Sequence, residues 1–208
     1  MPVVDLLFPV RGGPVPLDHG YLLFSALSAR LDGLHERRDI GVFNLRGSQT
    51  AQGQLELETG SLRLRCSTEA LPLLLPLSGI TLELAGVRVR LGNPGVRALT
   101  KPTSLSARVV TFKHSLDEQS FHGAAVKFLA EMGCSGRPYV GRRRVVRIAG
   151  KKVVGFALDV SGLSPESSLL LQEQGLGGRR HMGCGLFLPT RLRGPASSEK
   201  KASDWREP

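Results

Sequence analysis

Apolar residues run almost unbroken through VVDLLFPV (3–10), the pattern of a strand buried in a sheet. In LDHGYLLFSALSARLDGL (17–34) the spacing turns helical, with Leu23, Ala26, Leu27, Leu31 and Leu34 on one face. This predicts an amphipathic helix capped by Asp18 and stopped near Gly33. IGVFNL (40–45) and the alternating SLRLRC (61–66) read as two more strands. STEALPLLLPL (67–77) predicts a short capped helix interrupted by prolines, and ITLELAGVRVRL (80–91) a strand or hairpin. The order β-α-β-β-α-β is the ferredoxin-like arrangement, a four-stranded antiparallel sheet with two helices on one face.

The second half repeats the idea more loosely. VRALTKPTSLSARVVTFKH (96–114) contains an extended strand, and LDEQSFHGAAVKFLAEMG (116–133) reads as a capped helix. A basic strand pair, YVGRRRVVRI and KKVVGFALDV, turns at Ala149–Gly150. A helix over 164–175 opens on Ser164 as N-cap and Pro165 in its first turn. The glycine-rich GLGGRRHMGCGLFLP (175–189) then runs into a last strand. The expected fold is α+β: tandem ferredoxin-like, RRM-like halves over 1–94 and 95–190, the second complete or degraded. A polar tail, 191–208, is expected to be disordered.

Charge adds a partner to this picture. The 208 residues carry a formal net charge of +10, which suggests a polyanion, because clustered Lys and Arg release counterions from a phosphate backbone. RPYVGRRRVVRIAGKK (137–152) holds seven basic residues and no acidic one. A solvated edge protected against aggregation is the plain alternative for such a run. Aromatic residues are only 5% of the chain, which favours holding a polyanion by shape and charge over stacking on an aromatic platform. No apolar run approaches the roughly 18 residues of a membrane span, and MPVVDLLFPVRGG lacks the basic head of a signal peptide. Cys66, Cys134 and Cys184 are far apart and in no metal-binding spacing, so no disulfide framework, metal or cofactor is expected, and a reducing cytoplasm is.

Two stretches carry candidate chemistry. Gly175, Gly177, Gly178, Gly183 and Gly185 interleave with Arg179, Arg180 and His181, so backbone N–H groups and guanidinium charge could approach phosphate. Glycine loops also serve as tight connectors. No Gly-Lys-Ser/Thr follows, which excludes a Walker loop, and the loop lies after a helix and before a strand, unlike a dinucleotide fingerprint. With the β-α-β-β-α-β first half and the basic second half, GLGGRRHMGCGLF resembles the RAMP superfamily of CRISPR proteins. FPVRGGPVPLDHGYLLFSALSARLDGLHERRDIGVFNLRG (8–47) is similar to its repeat-processing endoribonucleases, the Cas-six family, and within it to the Myxan subtype.

The resemblance implies a function and a site. It places His35 where the family has a catalytic histidine after the first helix, with Phe43 in the strand that follows. An RNA 2′-hydroxyl would attack its own 3′ phosphate, leaving a 2′,3′-cyclic phosphate and a 5′-hydroxyl. Histidine suits either proton transfer near neutral pH. A position at a helix end favours imidazolium and hence the general-acid role, with base or dual use left open. Family members often add a Tyr or Ser in the preceding helix and a Lys near the next strand. Tyr21, Ser25 and Ser28 share one helix face, and any of them could orient the 2′-hydroxyl. The lysine has no match here; Arg37 or Arg38 could stand in to stabilise the phosphorane, with Arg38 taken for that role and Arg37 for RNA binding. The expected RNA track is Arg37, Lys113, Arg137, Arg142, Arg143, Arg144, Arg147, Lys151 and Lys152, joined by Gly177, Gly178, Arg179, Arg180 and His181 of the loop. His19 reads as structural, and His114 and His122 as strand-end and helix-face residues. The expected partners are precursor and mature CRISPR RNA and other subunits of a Cascade-type complex, with no membrane. A non-catalytic RAMP subunit that only binds guide RNA is the alternative.

Overall fold

The computed structural model describes residues 1–190; the tail expected over 191–208 lies outside them. Chain order is β1 (Val3–Gly12), β2 (Val15–Pro16), α1 (Gly20–Ser28), β3 (Gly41–Val42), β4 (Arg46–Gln49), β5 (Gln54–Ser67), α2 (Leu71–Leu74), β6 (Thr81–Leu84), β7 (Val87–Leu91), β8 (Gly95–Ala98), β9 (Ser104–Val110), α3 (Glu118–Glu131), β10 (Arg137–Ile148), β11 (Lys151–Ser161), α4 (Pro165–Gln174) and β12 (Phe187–Pro189). In the first sheet β5 and β7 flank β1, and β2, β3 and β4 pair with β5. The second sheet runs β10-β11-β9-β12. Both are antiparallel and follow the ferredoxin-like order, so the second half is complete rather than degraded.

Alternation decides which face each strand buries. Leu6, Phe8 and Val10 of β1 and Leu57, Leu62 and Leu64 of β5 form one core with Leu23 and Leu27 of α1 and Leu74 of α2. Leu105 and Ala107, Leu158 and Val160, and Phe187 form the second core, under Phe121, Ala125 and Leu129 of α3 and Leu171 of α4. Among the described residues no helix is long and apolar enough to cross a membrane.

Several local expectations change. The first helix stops at Ser28, and Gly33, at φ +72°, opens a separate 3-10 turn, Leu34–Glu36. Asp18 does not cap α1: His19 holds that position, and the Asp18 carboxylate accepts from the Arg147 amide 2.7 Å away. IGVFNL is a strand only at Gly41–Val42, whereas β5 starts seven residues before Ser61. The Ser67 hydroxyl does not cap the 67–77 segment but donates to Asp39. β8 pairs with the lower half of β1, continuing the track of β7, so the first sheet reaches Ala98 and the second begins at Ser104. Other signals hold: Ala149–Gly150 turns with both residues at positive φ, Asp117 caps α3, and Ser164 and Pro165 open α4.

One buried side chain joins the halves. Arg65 of β5 is fully buried and donates from Nε and Nη2 to both carboxylate oxygens of Asp5 on β1, at 2.7 and 2.9 Å. Its Nη1 reaches into the second half, to the carbonyls of Gln172 (3.0 Å) and Phe187 (2.7 Å). The first is an orphan carbonyl in the last turn of α4; the second lies on β12, at the end of the second sheet. Removing one partner of a buried pair strands the other charge, typically at about 3–5 kcal/mol. Arg65→Ala is therefore expected to lower unfolding free energy in urea by that order, and Arg63→Ala, whose ion pair with Asp5 is partly exposed, by less.

Candidate RNA-cleavage site and interface

His35 sits in the middle of the Leu34–Glu36 turn, with its side chain 67% exposed and Nε2 3.5 Å from Glu36 Oε1. Leu34 beside it is buried in the first core and anchors the turn. The argument from a helix end lapses, because α1 closes at Ser28 and a helix dipole fades beyond the last turn. Tyr21 is half-buried on α1 and Ser25 exposed. Ser28 is half-buried at the end of α1, its hydroxyl oxygen buried and without a hydrogen-bond partner.

The residues after His35 are held tightly. Arg37 makes a bidentate pair with Asp39, at 2.7 and 2.8 Å, and Asp39 also accepts from Ser67. That guanidinium holds the Asp39 carboxyl down at about 2. Arg37 is thus paired with Asp39 while partly exposed, and the Arg38 side chain is exposed.

The glycine loop makes many bonds within the chain. The amides of Gly175, Gly178, Gly183 and Gly185 donate within the protein, to Leu171, Thr111, Arg180 and Val109 carbonyls. These four amides are thus taken up within the chain. Glycine is needed for close approach: a Cβ on Gly183 would lie 2.1 Å from Asn44 Oδ1, and one on Gly177 2.5 Å from the Thr111 carbonyl. Arg180 turns inward, donating to the carbonyls of Glu173 (2.7 Å) and Arg38 (3.2 Å), and burial lowers its pKa. His181 also turns inward: its Nε2 lies 2.7 Å from the Arg37 carbonyl and its ring stacks on Phe24 of α1. Arg179 alone of the three stays exposed, within reach of Thr111 Oγ1.

The basic hairpin is presented to solvent. Arg137, Arg142, Arg143, Arg144, Arg147, Lys151 and Lys152 are all exposed, as is Lys113 beyond β9. Two irregularities meet at one point of β11: the extra residue of β10, between Val140 and Arg143, and that of β9, between Ala107 and Val110, both oppose Ala157. The second lets consecutive residues, Arg108 and Val109, line one cavity of about 320 Å³ with Asp18, Arg143 and Arg144. Burial and the charge of Arg144 hold Arg108 below the usual guanidinium range. Sequence reasoning missed Arg108, which lies outside the basic run; the signal was a lone Arg in an otherwise uncharged strand. It also missed Arg65, which alternation alone placed on a solvent face.

Comparison with known proteins decides the family. The model of the family described as Cas6 Crispr matches residues 4–192. A Myxococcus xanthus protein named CRISPR-associated endonuclease Cas6 is 58% identical over 203 residues, covering 98% of this chain and 88% of that protein. The chain belongs to the Cas6 family. Solved structures share its fold at low identity. A CRISPR associated protein Cas6 matches with TM-score 0.62 and 13% identity, over 91% of this chain and 99% of the other. Thermus thermophilus Cse3, bound to an RNA representing a pre-cleavage complex, matches with TM-score 0.55 and 14% identity, over 90% and 98%. Within the Cas6 fold of this chain, no three His, Cys, Asp or Glu side chains converge as a metal site among the described residues.

His19 offers a pH test of the framework. It is buried, with Nδ1 donating to the Pro16 carbonyl and Nε2 accepting from the Leu45 amide. Burial lowers its pKa below 6.5, so the unfolded chain takes up the proton first as pH falls. The stability from neutral His19 is present above about pH 6.5 and lost as pH drops toward the lowered folded value. Urea melts from pH 8 to 5 should show this decline, and His19→Gln should flatten it.

Proposed function

We propose that this Cas6-family chain is a metal-independent endoribonuclease that cuts CRISPR repeat RNA, with His35 as the general acid. The observation that carries the reading is the placing of His35: an exposed imidazole on a short turn anchored by Leu34 on one side and by the Arg37 and Arg38 carbonyls on the other. The endonuclease name of the 58% identical relative supports it along nearly the whole chain.

In the proposed step the 2′-hydroxyl oxygen bonds to the adjacent phosphorus and gives its proton to solvent water, while the phosphorus–O5′ bond breaks. His35 gives its proton to the departing O5′. The products are a 2′,3′-cyclic phosphate and a 5′-hydroxyl. Tyr21 orients the 2′-hydroxyl, and Arg38 stabilises charge on the phosphorane. The 137–152 hairpin and Lys113 hold the repeat stem through its phosphates, with Arg179 at the margin. Arg108 and Arg144, crowded around one cavity, take a backbone phosphate. The RNA is retained after cutting and handed to other Cas subunits in the cytoplasm, where three free buried thiols are at home.

Two measurements test this. With a labelled repeat hairpin in excess EDTA, the wild-type chain is expected to cut at one site and leave a cyclic phosphate, and His35→Ala to bind without cutting. Binding without cleavage by both proteins would support a guide-RNA-binding subunit instead. Arg108→Gln is expected to weaken repeat binding and make the salt dependence shallower by about 0.7–0.9 in log–log slope, with the cleavage rate at saturating enzyme unchanged.

A further inference from the structure

The glycine loop of the second half grips the segment that carries His35. Its 3-10 turn, Arg180–His181–Met182, packs against α1 and β3 of the first half. His181 reaches the Arg37 carbonyl at 2.7 Å while lying flat on Phe24, ring centroids 5.5 Å apart and 8° from parallel. Arg180 reaches the neighbouring Arg38 carbonyl at 3.2 Å, and its other amino group holds the Glu173 carbonyl in the last turn of α4. Two consecutive carbonyls immediately after the His35 turn are thus tied to one loop of the other half. Gly183 admits this contact, because any Cβ there would strike Asn44.

We propose that Arg180 and His181 are positioning residues for His35: by holding the Arg37 and Arg38 carbonyls they fix the turn that aims the imidazole at the leaving oxygen. The inference rests on His35 as the general acid. It assigns the inward-facing pair of the loop to rate and not to RNA affinity. The His35 turn is a single turn, exposed at His35 and Glu36, so what fixes it must come from its flanks. Leu34 fixes the near flank in the core; on the far flank the loop holds the carbonyls while Asp39 holds the Arg37 side chain.

The test separates cleavage from binding. Single-turnover rates with enzyme in excess, and dissociation constants for an uncleavable repeat, are measured for His181→Ala, His181→Phe and His181→Gln. Misplacing a catalytic group by about 1 Å can cost on the order of 100-fold. His181→Ala and His181→Phe are expected to lose about 10- to 100-fold in rate with affinity kept. Phe retains the stack on Phe24 but cannot hydrogen-bond Arg37, whereas His181→Gln, which can donate, should recover most of the rate. Arg180→Lys, which keeps a donor, should lose less than Arg180→Ala. A thermal melt shows whether each variant is folded at the assay temperature. Folded His181→Ala that cuts at the wild-type rate, or that loses affinity with the saturated rate intact, overturns the proposal. Full activity of His35→Ala overturns it together with the general-acid reading, while an inactive His35→Ala beside a fully active His181→Ala overturns this proposal alone.

Discussion

The buried contact of Arg65 with Asp5 constrains everything else in the molecule. Five bonds converge on it: Arg65 gives two to Asp5 and two to carbonyls of the second half, and Arg63 gives one more to Asp5. A guanidinium suits this place because its planar fork meets a carboxylate on one side and still has donors for the other. The face of Phe43 lies about 5.1 Å from the Arg65 guanidinium and screens it from water. Two sheets that could each close their own core are thereby fixed relative to one another, through an orphan carbonyl of α4 and the last strand of the second sheet.

From that joint the rest of the site follows. The carbonyls of Gln172 and Glu173 at the end of α4 are taken by Arg65 and Arg180, so the helix end and the glycine loop after it are set against the first sheet. The loop then reaches Arg37, Arg38 and Asn44 around the His35 turn. Gln172 also ties the crossover through the Thr100 carbonyl. The basic hairpin projects from the same second sheet and meets the first half where Asp18 accepts the Arg147 amide. The basic hairpin proposed to hold RNA and the His35 imidazole proposed to cut it come from different halves, and the joint sets their relation.

The sequence made the architecture legible wherever one face of an element is buried. Leu6, Phe8 and Val10, or Leu23 and Leu27, repeat at the period of their element because the core demands it. Turn chemistry was equally clear at Ala149–Gly150 and Ser164–Pro165. Errors gathered where tertiary contacts override local pattern. Leu31 and Leu34 keep helical spacing and are buried, yet the chain leaves the helix at Ala29, before either of them, because both can enter the core from a looser turn. Asp18 looks like a cap, but an amide from residue 147 claims it. In the glycines and arginines of 175–185 composition does not reveal which way a donor points; here most amides and the Arg180 and His181 side chains point inward. Arg65 was invisible for the same reason: nothing in an alternating SLRLRC says that its polar face will be covered.

The central claim is that the chain cuts RNA by turning the substrate's own 2′-hydroxyl on the neighbouring phosphate, with His35 releasing the 5′ oxygen. The most direct test replaces that single 2′-hydroxyl, on the nucleotide preceding the cut, with hydrogen in an otherwise unchanged repeat. The account predicts that the substituted repeat binds as tightly as the natural one and is not cut. Cleavage of the deoxy-substituted repeat at the same position would show that water or another nucleophile attacks, and would contradict the account.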